Sequence, residues 1–226
     1  MAPRPRRRYP KDERDDTVGT GVMGMLVRDR MTSPAITTRP DTETSAALKT
    51  MYVHKVRRLP VVDERGTLIG IVTQRTLYER GKASTPVAGL MTASPYTTAP
   101  ESPIVEAAAK MRALGFGALP VLDHGRLVGI ITESDIFDAF LELLGAGRTG
   151  THLVVPIANV ATGVRSVLDA LTRAKAPLSG LATYVDRHGP AAVLTADEQD
   201  PRDLVRALRE AGFEPSEISV QKTAGV

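Results

Sequence analysis

Residues Thr132-Glu133-Ser134-Asp135 place a hydroxyl and a carboxylate three positions apart, directly after the branched aliphatic run Ile130-Ile131. If a strand ends at the threonine and a helix starts behind it, both side chains stand where the first backbone N–H groups lack intrahelical partners. Two chemistries suit that place. The hydroxyl can accept from a free N–H near the third helical position, and Asp135 there complements the positive helix end, which is ordinary capping. The same N–H groups and hydroxyl also suit phosphate oxygens. A carboxylate with two acceptor oxygens suits the cis hydroxyls of a ribose. The four residues alone leave both readings open.

Other chemistry finds little support. There is no cysteine, and the histidines His54, His124, His152 and His188 are scattered without metal-ligand spacing. GxSxG and P-loop motifs are missing, and LGFGALP (114–120) offers only GxG, with Pro120 where a third glycine belongs. The reading is a non-catalytic chain with no metal and no required cofactor.

The elements that must position Thr132 and Asp135 emerge from an internal repeat. At an offset of 60, Val27, Met31, Thr32, Thr37, Thr38 and Pro40 fall on Val87, Met91, Thr92, Thr97, Thr98 and Pro100. Ala47, Met51 and Leu59-Pro60-Val61 fall on Ala107, Met111 and Leu119-Pro120-Val121. One residue then drops out, and at 59 Gly66, Leu68, Gly70, Ile71 and Thr73 fall on Gly125, Leu127, Gly129, Ile130 and Thr132. Each copy predicts a short extended segment (AITTRP, PYTTAP), a helix over 43–55 or 103–114, two apolar strands around a tight turn, and a closing helix over 75–80 or 133–144. Neither copy buries a sheet face well alone, so the two should pack as one module. The copies differ where chemistry would sit, because Thr76 stands in place of Asp135.

The β–α–β–β–α order, the Met-Thr opening, the Leu-Pro-Val-(Val/Leu)-Asp entry and the Gly-Ile-(Val/Ile)-Thr exit resemble the cystathionine-β-synthase (CBS) domain, which occurs in tandem as a regulatory ligand-binding module. The resemblance implies that the (Ser/Thr)-x-x-Asp end grips the ribose and phosphate of an adenosyl ligand. Carried over by position, the Asp135 pocket uses Thr132, with Thr32, Ile36 and Thr37 for the adenine base, Ile130 packing beside that base, and Arg57 and Arg58 toward phosphates. Guanidinium forks match phosphate geometry, although cations at a helix end also favour the dipole. The opposite pocket, with Thr73, Thr76, Tyr96, Thr97, Phe116, Gly117 and Ala118, lacks the carboxylate and is read as degenerate.

GAGRTG (145–150) has linker composition, and beyond it residues 151–223 predict strand, helix, strand, strand, helix, strand, the ferredoxin-like order. Val164, Val167, Leu168 and Leu171 mark the apolar face of the first helix. Asp200 and Pro201 mark the start of the second, at cap and first-turn positions. This order resembles the ACT domain, whose ligand loop carries an Asp before a Gly that opens the first helix. Gly163 fits that position but Asn159, Val160, Ala161 and Thr162 bring no acid, so a structural or dimerising role is expected. A CBS pair followed by ACT is similar to the bacterial acetoin-utilisation family of regulatory proteins.

The fold class is therefore α/β with a tandem CBS pair and an ACT-like end. The expected domains are a basic extension over 1–24, CBS domains over 25–84 and 85–145, and the ACT-like domain over 151–223. The whole positive excess lies in residues 1–30, with eight Lys/Arg against five Asp/Glu. That Pro/Arg-rich head has too few apolar residues to fold, and Met23 and Met25 offer alternative starts. No run approaches the ~18 apolar residues of a membrane span, and no apolar signal-peptide core is present, so the expected location is cytoplasmic. The leading reading is a homodimeric sensor that binds AMP, ADP, ATP or S-adenosylmethionine and signals to a partner protein. The alternatives are a nucleic-acid-associated regulator using the Arg-rich head and a ligand-free dimerisation module.

Overall fold

The structure is a computed structural model that describes residues 25–144, 150–175, 178–196, 201–215 and 217–221. The basic extension 1–24, the stretch 145–149 and the cap Asp200 lie outside the described residues. Two compact units divide the chain between Ile136 and Phe137.

The N-terminal unit holds both copies of the repeat. After the short helix α1 (Val27–Arg30), the first copy runs through α2 (Thr44–His54), β1 (Arg58–Val62), β2 (Leu68–Thr73) and α3 (Gln74–Arg80). The second copy adds β3 (Thr92–Ala93), α4 (Ile104–Leu114), β4 (Ala118–Asp123), β5 (Arg126–Thr132) and α5 (Glu133–Leu143), which continues past Ile136. Lys55 and Gly115, at φ 53° and 70°, end α2 and α4 in the left-handed conformation. Both hairpins are antiparallel and carry an irregularity at the same place, between Val61 and Val62 and between Val121 and Leu122. The apolar runs meet in a core of Ala47, Met51, Leu59, Val61, Val72, Leu77 and Val87.

The two copies are reciprocally interlocked, which the repeat pattern does not announce. Thr32 and Ile130 exchange backbone hydrogen bonds of 2.9 and 3.0 Å, so the opening of the first copy lies on the sheet of the second. Thr92 and Ala93 of the second copy pair with Ile71 and Gly70 of the first. Val27 N–H donates to Ser102 C=O and Arg28 N–H to Pro100 C=O, while Val87 N–H donates to Thr42 C=O and Ala88 N–H to Pro40 C=O. Each AITTRP-type segment also pairs with its own copy through a single bridge, Thr38 to Val61 and Thr98 to Val121. Glycine makes the exchange possible. A Cβ on Gly70 would lie 2.5 Å from Met91 Sδ, and one on Gly129 would lie 2.7 Å from Met31 Sδ.

The C-terminal unit follows the expected alternation: β6 (Gly150–Pro156), α6 (Val160–Arg173), β7 (Leu178–Asp186), β8 (Gly189–Ala196), α7 (Pro201–Glu210) and β9 (Glu217–Gln221). Its strands form one antiparallel sheet in the order β7-β8-β6-β9. Leu153, Val155, Val167, Leu171, Leu194, Leu204 and Leu208 form its core. The start of α6 differs from the sequence expectation. The helix begins at Val160 and Asn159 is its cap, accepting from Ala161 N–H at 2.9 Å and Thr162 N–H at 3.3 Å. Gly163 therefore lies inside the first turn rather than opening it, and a Cβ there would fall 2.6 Å from Ile157 Cβ. Close packing of α6 on the buried Ile157, just past β6, accounts for this glycine. Leu168 is 38% exposed and Ala170 is buried in the core instead.

Candidate functional site

Thr132 ends β5 and Asp135 stands in the first turn of α5. The aspartate Oδ2 accepts from Thr132 N–H at 2.8 Å and from the Thr132 hydroxyl at 2.7 Å, and Asp135 N–H reaches back to Thr132 Oγ1 at 3.4 Å. This is a reciprocal cap with aspartate in place of glutamate. The other copy builds the same turn without a charge. Thr76 N–H donates to Thr73 Oγ1 at 3.1 Å, and the two hydroxyl oxygens lie 2.9 Å apart. Capping therefore explains a polar side chain at this position but does not demand a carboxylate.

The remaining predicted residues divide between the two helix starts in a way the sequence reading did not anticipate. Ile130 is 7% exposed, and its backbone pairs with exposed Thr32. Ile36 packs against the first copy's core, and Thr37 beside it is partly buried. Gly117 and Ala118, assigned to the degenerate pocket, lie at the Asp135 end. Ala118 is opposite Thr132, and Gly117 C=O accepts from Glu133 N–H at 3.1 Å. By the same register Arg58 is opposite Thr73, and Arg57 C=O accepts from Gln74 N–H at 2.8 Å. The cause is antiparallel pairing: the first residue of a hairpin strand must face the last residue of its mate.

The Arg58 side chain nevertheless crosses between the copies. Its Nη2 lies 3.7 Å from Glu133 Oε2, with the arginine side chain 26% exposed and the glutamate 70% exposed. Burial pulls the Arg58 pKa below its ordinary value, Glu133 opposes that, and neighbouring Arg57 adds to it. Gly117 underlies the pair, since a Cβ there would collide with both the Arg58 guanidinium and the Glu133 carboxylate. Arg57 is exposed. It lines an open hollow of about 470 Å³ with Met51, Tyr52, Val56 and Gln74. In the C-terminal unit a second hollow lies between Val160, Ala161 and Val164 of α6 and Leu181 to Thr183 of β7. Asp135 lines neither of these.

At the remaining positions Tyr96 and Phe116 pack their rings at 5.7 Å between centroids. The Lys110 ammonium donates to Thr97 C=O at 2.6 Å, a cation that the sequence reading did not place there. Glu133 was also missed. Its signal was present in the sequence as the charged counterpart of Gln74 in the other copy. Among the described residues no group of His, Cys, Asp and Glu could hold a metal ion, and no helix is long and apolar enough to cross a membrane.

The interlocked copies coincide with a known unit. The family model for the CBS domain matches residues 27–82 and again 87–142. A CBS domain-containing protein of Dictyostelium discoideum is 37% identical over 140 residues, which are 54% of this chain and 95% of that protein. The chain belongs to the CBS-domain family. Its tandem pair is similar to the crystal structure of a protein assigned to acetoin utilization (AcuB) from Vibrio cholerae, at 32% identity and a TM-score of 0.50, covering 54% of this chain and 95% of that one. CBSX2, solved in complex with AMP, is 28% identical with a TM-score of 0.48 over 53% of this chain and 99% of that one. Enzymes among the curated relatives match only in part, the aligned stretch being 21 to 23% of their length.

Proposed function

We propose that the CBS pair is a non-catalytic sensor that holds an adenine nucleotide or another adenosyl ligand at the Thr132–Asp135 helix start and signals its binding to a partner protein. The observation that carries this reading is the paired cap. Thr76 caps α3 through hydroxyl chemistry alone, so the carboxylate of Asp135 exceeds what the turn requires. A ribose diol is the partner that such a carboxylate suits, and helix-start N–H groups suit a phosphate. Arg58, drawn to the same helix start through Glu133, adds a cation within the pair. The C-terminal unit serves as an ACT-like dimerising domain, because the Asn159 side chain already caps α6 and Gly163 is taken up by packing.

The test is Asp135→Thr, which copies the residue of the other cap. Thermal melts against AMP, ADP, ATP and S-adenosylmethionine at about a hundredfold over Kd should raise the parent's stability by ~2.7 kcal/mol, which is about 5–10 °C for a chain of this size. The variant should melt near the unliganded parent and lose most of that shift. Equal ligand-induced shifts in parent and variant would overturn the reading.

A further inference from the structure

The divergence between the copies is not confined to Asp135. At the hairpin entries Arg57 and Arg58 correspond to Gly117 and Ala118, and at the helix starts Gln74 and Thr76 correspond to Glu133 and Asp135. The structure brings three of these unmatched residues to one point: the Arg58 guanidinium, the Glu133 carboxylate and the bare Cα of Gly117. At the equivalent place in the first copy Arg57 carries a side chain, so no such floor exists there.

The contact is close enough for attraction and too long for a hydrogen bond, with Nη2 and Oε2 3.7 Å apart. The glutamate is largely exposed and the arginine largely covered. A half-desolvated guanidinium needs an anion, and a planar fork is better satisfied by two oxygens of one phosphate than by one distant carboxylate oxygen. Glu133 lies two residues before Asp135 on the same helix start.

We propose that Glu133 is an internal competitor for the ligand's phosphate: its carboxylate occupies Arg58, a phosphate must displace it, and this exchange sets the preference between phosphorylated and unphosphorylated adenosyl ligands. Glu133 is thus a specificity-determining residue. The inference rests on the ribose grip at Asp135 and adds to it.

Calorimetric titration of the full chain with adenosine and with AMP tests it, using the parent, Glu133→Gln, Arg58→Gln and the double variant, each checked by its melting curve. Removing the competing charge of a mostly exposed pair should tighten AMP about twofold to fivefold and leave adenosine unchanged. Arg58→Gln should weaken AMP about tenfold or more with adenosine unchanged. In that background Glu133→Gln should have no further effect on AMP, the signature of one shared contact. If Glu133→Gln leaves the AMP-to-adenosine ratio at the parent value, the competition is refuted while the ribose grip stands. If neither ligand binds the parent, the ribose grip falls and this inference with it.

Discussion

The two helix starts of the CBS pair solve one structural problem with different residues. At Thr73–Thr76 two hydroxyls and a backbone N–H close the turn. At Thr132–Asp135 a carboxylate oxygen takes both the N–H and the hydroxyl of the same threonine. The backbone result is alike, so folding constrains this position to a short polar residue and leaves its charge to be set by something else. The difference separates what a fold requires from what a ligand would require, within one molecule and without an outside reference.

The largest predicted effect concerns the frame that makes the two copies comparable. Gly129→Ala would place a Cβ 2.9 Å from the Thr32 backbone oxygen, whereas Gly70→Ala meets chiefly the movable Met91 thioether, with Thr92 oxygen at 3.2 Å. Urea unfolding should find Gly129→Ala costing about 2–3 kcal/mol and Gly70→Ala about 1 kcal/mol. Equal costs would mean that the interlock is alike on both sides in spite of the geometry. Next comes the aromatic pair. A double-mutant cycle on Tyr96 and Phe116, replaced by Ile36 and Val56 in the first copy, should return a coupling of about 0.5–1.5 kcal/mol. A coupling of zero would reduce that contact to chance proximity.

Thr76→Asp gives α3 the charge that α5 already has. It should raise stability by about 0.3–1 kcal/mol through the helix dipole yet produce no second nucleotide site in calorimetry. A new site would show that the carboxylate alone suffices and that the differences at Arg57/Gly117 and Gln74/Glu133 are idle. The smallest effect lies in the hairpin turns. Thr67 and Arg65 N–H groups hold Asp63 below its ordinary carboxylate value. A lowered folded pKa stabilises above the unfolded value of about 3.9 and is lost as pH falls through the folded one. Melting temperature should therefore fall more steeply for the parent than for Asp63→Asn in acid below about pH 4, and parallel curves would remove Asp63 from the account.

Much of this architecture was legible in the sequence because duplication writes each element twice. The LPV entries, the GI(V/I)T exits and the glycines at the turns, Gly66 and Gly125, both at φ 80°, fixed the hairpins. The interlock was not legible, since a Met-Thr dipeptide has no periodicity and its partners, Ile130 for Thr32 and Ile71 for Thr92, lie in the other copy. Gly70 and Gly129 were the available hint, as glycine inside a strand often marks a close backbone approach. The cap at Thr132 and Asp135 was legible in the sequence, but the residues grouped around it were mixed. Gly117 and Ala118 were placed by analogy where hairpin pairing alone would have seated them beside Thr132. Arg58 was placed at the Asp135 end only through the family resemblance, because a long side chain crossing to the other copy leaves no trace in local pattern. Gly163 was misplaced because its small size was read as a loop feature when Asn159, four residues earlier, was the better start signal.

The reciprocal pairing also bears on how the chain is made. A nascent first copy leaves the ribosome with its sheet edge open until Thr92 and Ala93 arrive, and its own opening segment waits for Ile130. At roughly 5–20 residues per second, Gly70 waits about 1–5 s for Ala93 and Thr32 about 5–20 s for Ile130. During that time an exposed strand edge is available to a neighbouring chain, so polysomes translating this message are where mispaired dimers should originate.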